Sequence, residues 1–172
     1  MGGVKKILAS PAGRFMARYA VILSVGFLIL ALKPVNDHVV NPYTTFVAHK
    51  ARVALNLLGE NARVDGQVLS SSRFAVQIYN GCNGLEAILV FVAGVLAFPA
   101  PWLRRLVGVV LGVLAIGVVN VVRVVSLFYV GILKPQWFSI SHVFIWQSLI
   151  ILLSVVLWLV WVQRYAPVHA TR

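Results

Sequence analysis

The chain has 172 residues, of which 60% are hydrophobic and only 11% charged. A soluble domain of that length cannot cover so much apolar surface with so little charge, so a soluble fold is excluded. A net charge of +11 would suit nucleic acid, but the Lys and Arg residues gather at the ends of apolar runs, not on one basic face. That excludes nucleic acid and makes membrane lipid the partner.

The first apolar stretch runs from about Phe15 to Leu32. Lys5 and Lys6 precede it as they would a signal peptide. No small-x-small cleavage site follows Leu30 and the basic leader is long, so a retained anchor is expected. Next comes a more polar segment from Lys33 to Cys82. Asn41-Pro42 reads as a helix start, with a capping side chain and proline in the first turn. Beyond it, His49, Arg52, Asn56 and Glu60 recur at helical spacing, opposite Val47, Ala51, Ala54, Leu55 and Leu58. This pattern predicts an amphipathic helix from Pro42 to Leu58 lying on the outer leaflet.

Val64-Asp65-Gly66-Gln67-Val68 then carries a hairpin turn signal, and Phe74, Val76 and Ile78 alternate as in a strand. A small β-hairpin is expected to deliver the chain to Tyr79-Asn80-Gly81-Cys82. Three more apolar runs follow, at about 85–103, 106–130 and 142–162, with Pro99 and Pro101 marking the exit of the first of them. Each is long enough, or nearly so, to cross roughly 30 Å of hydrocarbon as a helix. The expected fold is therefore all-α and polytopic. It forms one integral membrane domain over 1–172, with about four transmembrane helices, an outer amphipathic helix and a small hairpin.

Orientation follows from the basic residues. Lys5, Lys6, Arg14 and Arg18 lead the first span, Arg104 and Arg105 join the second to the third, and Arg164 and Arg172 follow the fourth. With four spans these segments share one side, and the positive-inside rule makes it cytoplasmic. Both termini are then cytoplasmic in an inner membrane. The segments from Lys33 to Cys82 and from Gly131 to Ser141 face outward.

Polar groups at apolar depth are the informative residues of such a chain. Arg123 lies about seven residues short of the outer end of the third span, roughly 10 Å deep at 1.5 Å per residue. Burial at the centre of a span costs an Arg on the order of 2.5–3.5 kcal/mol on insertion scales. Either it snorkels outward as an anchor, or a partner compensates it. Asn120 shares its face one turn away. Cys82, the single cysteine, sits at the outer mouth of the second span among Asn80, Gly81, Asn83 and Gly84. A lone cysteine can be a small hydrophobe. Here glycines open the backbone, a helix N-terminus favours the thiolate, and an unpaired thiol in an oxidising compartment is a liability unless used.

Glu86, one turn further in, is a candidate partner for Arg123, as is the Cys82 thiolate. His142 opens the fourth span behind Ser139 and Ser141, where a positive helix end would keep the ring neutral. His38, His49 and His169 have no supporting context, the four histidines show no metal-ligand spacing, and one cysteine makes no internal disulfide. No metal or other cofactor is expected. Topology brings Cys82, Arg123 and His142 to similar depth from three helices. A thiolate nucleophile, a base and a fixed cation are what acyl transfer through a thioester requires.

The elements Asn80-Gly81-Cys82-Asn83-Gly84-Leu85-Glu86, Asn120-Val121-Val122-Arg123 and Ser141-His142 together resemble the exosortase/archaeosortase family of polytopic membrane cysteine enzymes. The likeness covers the core from Tyr79 to Gln147, and the short length and the NGCNGLEA stretch are most similar to the exosortase H subgroup. The resemblance implies Cys82 as nucleophile, Arg123 as stabilising cation and His142 as proton-transfer partner, with Asn80, Asn83, Glu86 and Asn120 supporting. It implies partners bearing a C-terminal sorting signal, made of a short motif, a transmembrane helix and a basic tail. Cleavage would leave an acyl-enzyme, released to water or to an acceptor. Two other classes compete. In one the chain is a small transporter or channel subunit, with Asn120, Arg123 and Glu86 along its path. In the other it is a non-catalytic membrane assembly factor whose hairpin binds a partner. No motif here fixes an oligomeric state.

Overall fold

The computed structural model describes residues 10–165; Lys5, Lys6, His169 and Arg172 lie outside them. Helix α1, Pro11–Ala31, begins on Ser10, whose hydroxyl accepts from the Gly13 amide, with Pro11 in the first turn. Its large apolar side chains, Val21, Val25 and Leu28 among them, are exposed, as suits a helix surrounded by lipid. Among the described residues, three helices are long and apolar enough to cross a membrane: Pro11–Ala31, Trp102–Leu133 and Pro135–Arg164. A fourth, α3 (Leu85–Ala97), has 13 residues and so spans only about 20 Å. The run expected to continue to residue 103 stops early because Phe98 turns extended ahead of Pro99 and Pro101, neither of which can donate to a helix ladder. Helix α4, Trp102–Leu133, is correspondingly long at 32 residues, or about 48 Å.

These helices form a bundle in which α3 packs against α1, α4 and the last helix, α5 (Gln147–Tyr165). Glycines set the close approaches: Gly94 faces the Trp158 ring, Gly108 the Trp161 ring and Gly112 the Phe91 ring. Small residues receiving aromatic ones is how helices gain contact in lipid, where no hydrophobic effect drives them together. Trp161 also donates from Nε1 to the Arg104 carbonyl at 3.1 Å. Arg14 and Arg18 of α1 border a cleft shared with Ala97 and Pro99. The basic residues Arg14, Arg18, Arg104, Arg105 and Arg164 therefore gather at one end of the bundle.

The opposite end carries a cap. From Lys33 the chain is helical almost without a break, through a π-helical stretch Asn36–Val40 into α2, Asn41–Leu57. The expected start at Asn41-Pro42 is thus a continuation. Asn41 caps nothing; its side-chain oxygen accepts from Gln67 Nε2 at 2.9 Å. The amphipathic pattern is correct, but its apolar face does not lie on lipid. Val47, Ala48, Ala51 and Leu55 are buried against Val124 and Phe128 of α4 and against Leu69 and Ile78. On the polar side, Asn56 holds the Ala62 amide at 2.7 Å, and Glu60 is buried and paired with Arg73 at 2.7 Å.

The expected hairpin is a three-stranded antiparallel sheet, β1 (Arg63–Asp65), β2 (Val68–Ser70) and β3 (Ala75–Gln77), in the order β1-β2-β3. Asp65 pairs with Val68, leaving a two-residue loop whose first residue, Gly66, has φ +55°, the glycine position of a tight hairpin. Val64, Leu69 and Val76 are in register and pack on the buried face of α2. A second apolar cluster, Ala87, Phe91, Val95, Ile116 and Ile150, fills the bundle below. Along α4 the two clusters are separated by Asn120 and Arg123. The polar residues sit at that seam.

Candidate active site

Strand β3 ends at a turn, Tyr79-Asn80-Gly81-Cys82, closed by the Cys82 amide donating to the Tyr79 carbonyl at 2.9 Å. Gly81 supplies the positive φ, +90°, that the third position of such a turn requires. Gly84 has φ +86°, and a Cβ there would also collide with the side chain of Asn120. The loop is clamped to the cap by Asn83, which is 1% exposed. Its Nδ2 donates to Thr44 Oγ1 at 2.9 Å, and its Oδ1 accepts from the Leu85 amide at 3.1 Å. Thr44 in turn donates to the Val40 carbonyl at 2.7 Å. A buried polar chain satisfied in this way costs little and fixes one geometry.

Into this loop comes His142. Its Nε2 lies 2.6 Å from Cys82 Sγ, across 60 residues of sequence. The ring is held by stacking on Phe138, centroids 6.0 Å apart at 15°. Phe138 packs on Phe74, and Phe74 stands edge-on to Phe128 of α4. Gly131 leaves the room that the Phe74 ring occupies. His142 was expected to open a helix behind serine caps. Instead, helical structure already begins at Pro135, and His142 lies in a π-helical stretch, Ser141–Trp146. Such stretches are rare and recur at functional sites. Bonding from i to i+5 sets His142 and Gln147 one turn apart on the same side.

Arg123 is 1% exposed, so it does not snorkel. The expected partner was Glu86 or the thiolate, but among the described residues the only ion pair is Arg73–Glu60. The guanidinium is held by neutral acceptors: Nη2 donates to Gln147 Oε1 at 3.1 Å and Nη1 to the Gly81 carbonyl at 3.4 Å. A side-chain amide and a backbone carbonyl satisfy the fork without burying a second charge, which is the cheaper arrangement in a dry interior. Nε of Arg123 and both polar atoms of Asn120 have no partner among the described residues.

Cys82 lies in the loop before α3, outside the spanning segments. Burial pushes its thiol above the ordinary cysteine range, the Arg123 charge draws it back, and Glu86 raises it again. Burial dominates, so the helix-end effect expected to give a resting thiolate does not prevail. The group within hydrogen-bond distance that can accept a proton from this thiol is His142, through Nε2.

The three residues expected from the sequence, Cys82, His142 and Arg123, thus converge, with Asn83, Gly81 and Asn120 around them. Glu86 lies within electrostatic reach of Cys82, but no hydrogen bond from it to the group is seen. Asn80 lies exposed on the turn. Gln147, Thr44 and Phe138 were not anticipated. Gln147 carried a signal, being a polar residue within an apolar run; the other two emerge only through packing. A cavity of about 410 Å³ opens on the pair, lined by Cys82, His142, Phe138 and Leu127 on one side and by β3 on the other.

Fold and site together define a polytopic membrane protein with a paired thiol and imidazole beneath a small cap. Residues 8–160 match the family model of transmembrane exosortases (Exosortase_EpsH), and the chain belongs to that family. No curated protein and no solved structure matches it.

Proposed function

We propose that the protein is a membrane cysteine peptidase or transpeptidase that removes C-terminal sorting signals from exported proteins. The observation that carries this reading is the 2.6 Å contact between Cys82 Sγ and His142 Nε2, opening on a cavity at the cap. Cys82 Sγ attacks the scissile carbonyl and passes its proton to His142 Nε2. Arg123, already oriented by Gln147 and Gly81, faces the charge that develops on the carbonyl oxygen; in a site poor in water such a contact is worth far more than in bulk.

As the C–N bond breaks, His142 returns the proton to the leaving amine, and the N-terminal part of the cargo stays on sulfur as a thioester. An acceptor amine, or water, attacks that thioester, gives its proton to His142, and frees the thiol. Asn83 and Asn120 support the loop and its neighbour Arg123. The cap faces the extracytoplasmic side of an inner membrane, with both termini cytoplasmic, and the cargo's own helix packs beside α3 and α5. Clustering of basic residues at the opposite end supports this orientation.

The test is trimming of a cargo encoded in the same genome, recognised by its motif, helix and basic tail. Cys82→Ser and Cys82→Ala should leave cargo at full length while the enzyme stays at normal abundance. Normal trimming in Cys82→Ala would contradict the proposal.

A further inference from the structure

We infer that the free edge of β3 is the substrate-docking strand, and that the peptide preceding the scissile bond binds there as a fourth strand of the sheet. This rests on the cysteine-peptidase reading and specifies how its substrate is held. In the order β1-β2-β3 only one side of β3 is paired. The Phe74 carbonyl accepts from the Ser71 amide at 2.8 Å, and the Ile78 amide donates to the Gln67 carbonyl at 3.0 Å. Val76, between them, is paired with Leu69.

Backbone groups alternate sides along an antiparallel strand. Those of Phe74, Val76 and Ile78 are turned to β2, so those of Ala75 and Gln77 are turned away from it. Ala75 and Gln77 both line the cavity that also contains Cys82 and His142. An unpaired edge is a template for another extended chain, and edges without such a use are normally covered or charged. Here the neighbouring wall is Val124, Leu127 and Phe138, which receives apolar side chains of the incoming strand. The turn Tyr79–Cys82 then leads from the docking strand directly to the sulfur. The substrate class that follows is an extended peptide offering backbone N–H and C=O groups at alternate residues, with an apolar side chain directed at Leu127 and Phe138. A helical segment does not fit this role.

The Ala75 and Gln77 amides donate nothing to β2, so proline at either position removes an outward donor while sparing the ladder. In the full-length protein in its membrane, Gln77→Pro should trim the cargo about 10- to 100-fold more slowly than wild type. Gln77→Ala, which keeps the N–H, should lose much less. Equal losses in the two would overturn backbone pairing, as would wild-type trimming by Gln77→Pro. A second measurement stands even if the proline variants misfold. In the Cys82→Ala background, a cysteine placed at Ala75 is oxidatively cross-linked to cysteines scanned through the cargo before its cleavage site. Efficiency should alternate with a period of two; a helical period, or none, would overturn the proposal. Normal trimming by Cys82→Ala defeats the peptidase reading separately, and the cross-linking pattern still reports whether the strand pairs.

Discussion

At the scale of single residues, the site depends on which groups may ionise. Burial holds the Cys82 proton on, and Arg123 is the charge that opposes it. Alkylation of Cys82 by iodoacetamide should therefore rise with pH to an inflection above that of an ordinary cysteine. Arg123→Gln removes the group that favours the thiolate, so the inflection should move higher; Glu86→Gln removes one that disfavours it and should move it lower. An unmoved inflection in both variants would separate these charges from the thiol. Arg123→Lys keeps the charge but loses the planar fork shared between Gln147 and Gly81. We expect trimming to fall by about 100-fold or more, the scale of losing an oxyanion donor, with insertion unchanged. Trimming near wild type would reduce Arg123 to an anchor.

At the scale of elements, the apolar runs, the amphipathic helix and the strand alternation were legible because each rests on local periodicity. The limits of α3 were not, since two prolines end it sooner than the apolar composition does. Burial of α2 against α4 was read as burial against lipid, because an apolar face does not announce its partner. That β3, marked by the alternation of Phe74, Val76 and Ile78, joins the strands around Gly66 in one three-stranded sheet was not legible, because strand pairing is not a local property. The π-helical stretch from Ser141 to Trp146 left no mark either, since no local periodicity distinguishes one π turn within an apolar helix. It has a testable consequence. Deleting Val143, which is exposed, should restore α-helical bonding and leave His142 and Gln147 four residues apart on one side, whereas adding an alanine after it should turn them about 100° apart. Trimming should be lost with the added alanine and largely kept in the deletion, with both proteins still reaching the membrane; trimming kept with the added alanine would make this register incidental.

At the scale of the whole molecule, a short α3 beside a long α4 raises the cap above the bundle and leaves Cys82 at its floor. Convergence of Cys82, Arg123 and His142 was legible because topology alone brings the starts of two spans and the outer third of another to one depth. Pairing of Arg123 with Glu86 was not realised, since charge complementarity suggested a partner where neutral acceptors lay closer. Gathering of Arg14, Arg104 and Arg164 at one end supports the proposed orientation. Reporter domains placed after Arg172 and between Ser70 and Ser72 should locate to the cytoplasm and to the outer side respectively. A C-terminal reporter found outside would contradict it.

The central claim is that Cys82 carries the cargo as a thioester, and it is read most directly by mass. Purified full-length protein is mixed with its cargo in membranes, quenched in acid, and its intact mass measured. An adduct equal to the cargo's N-terminal fragment is expected, mapped to Cys82, released by hydroxylamine and absent from Cys82→Ala. Cargo cleaved by the wild-type protein with no adduct at any time point, or an adduct that persists in Cys82→Ala, would contradict it.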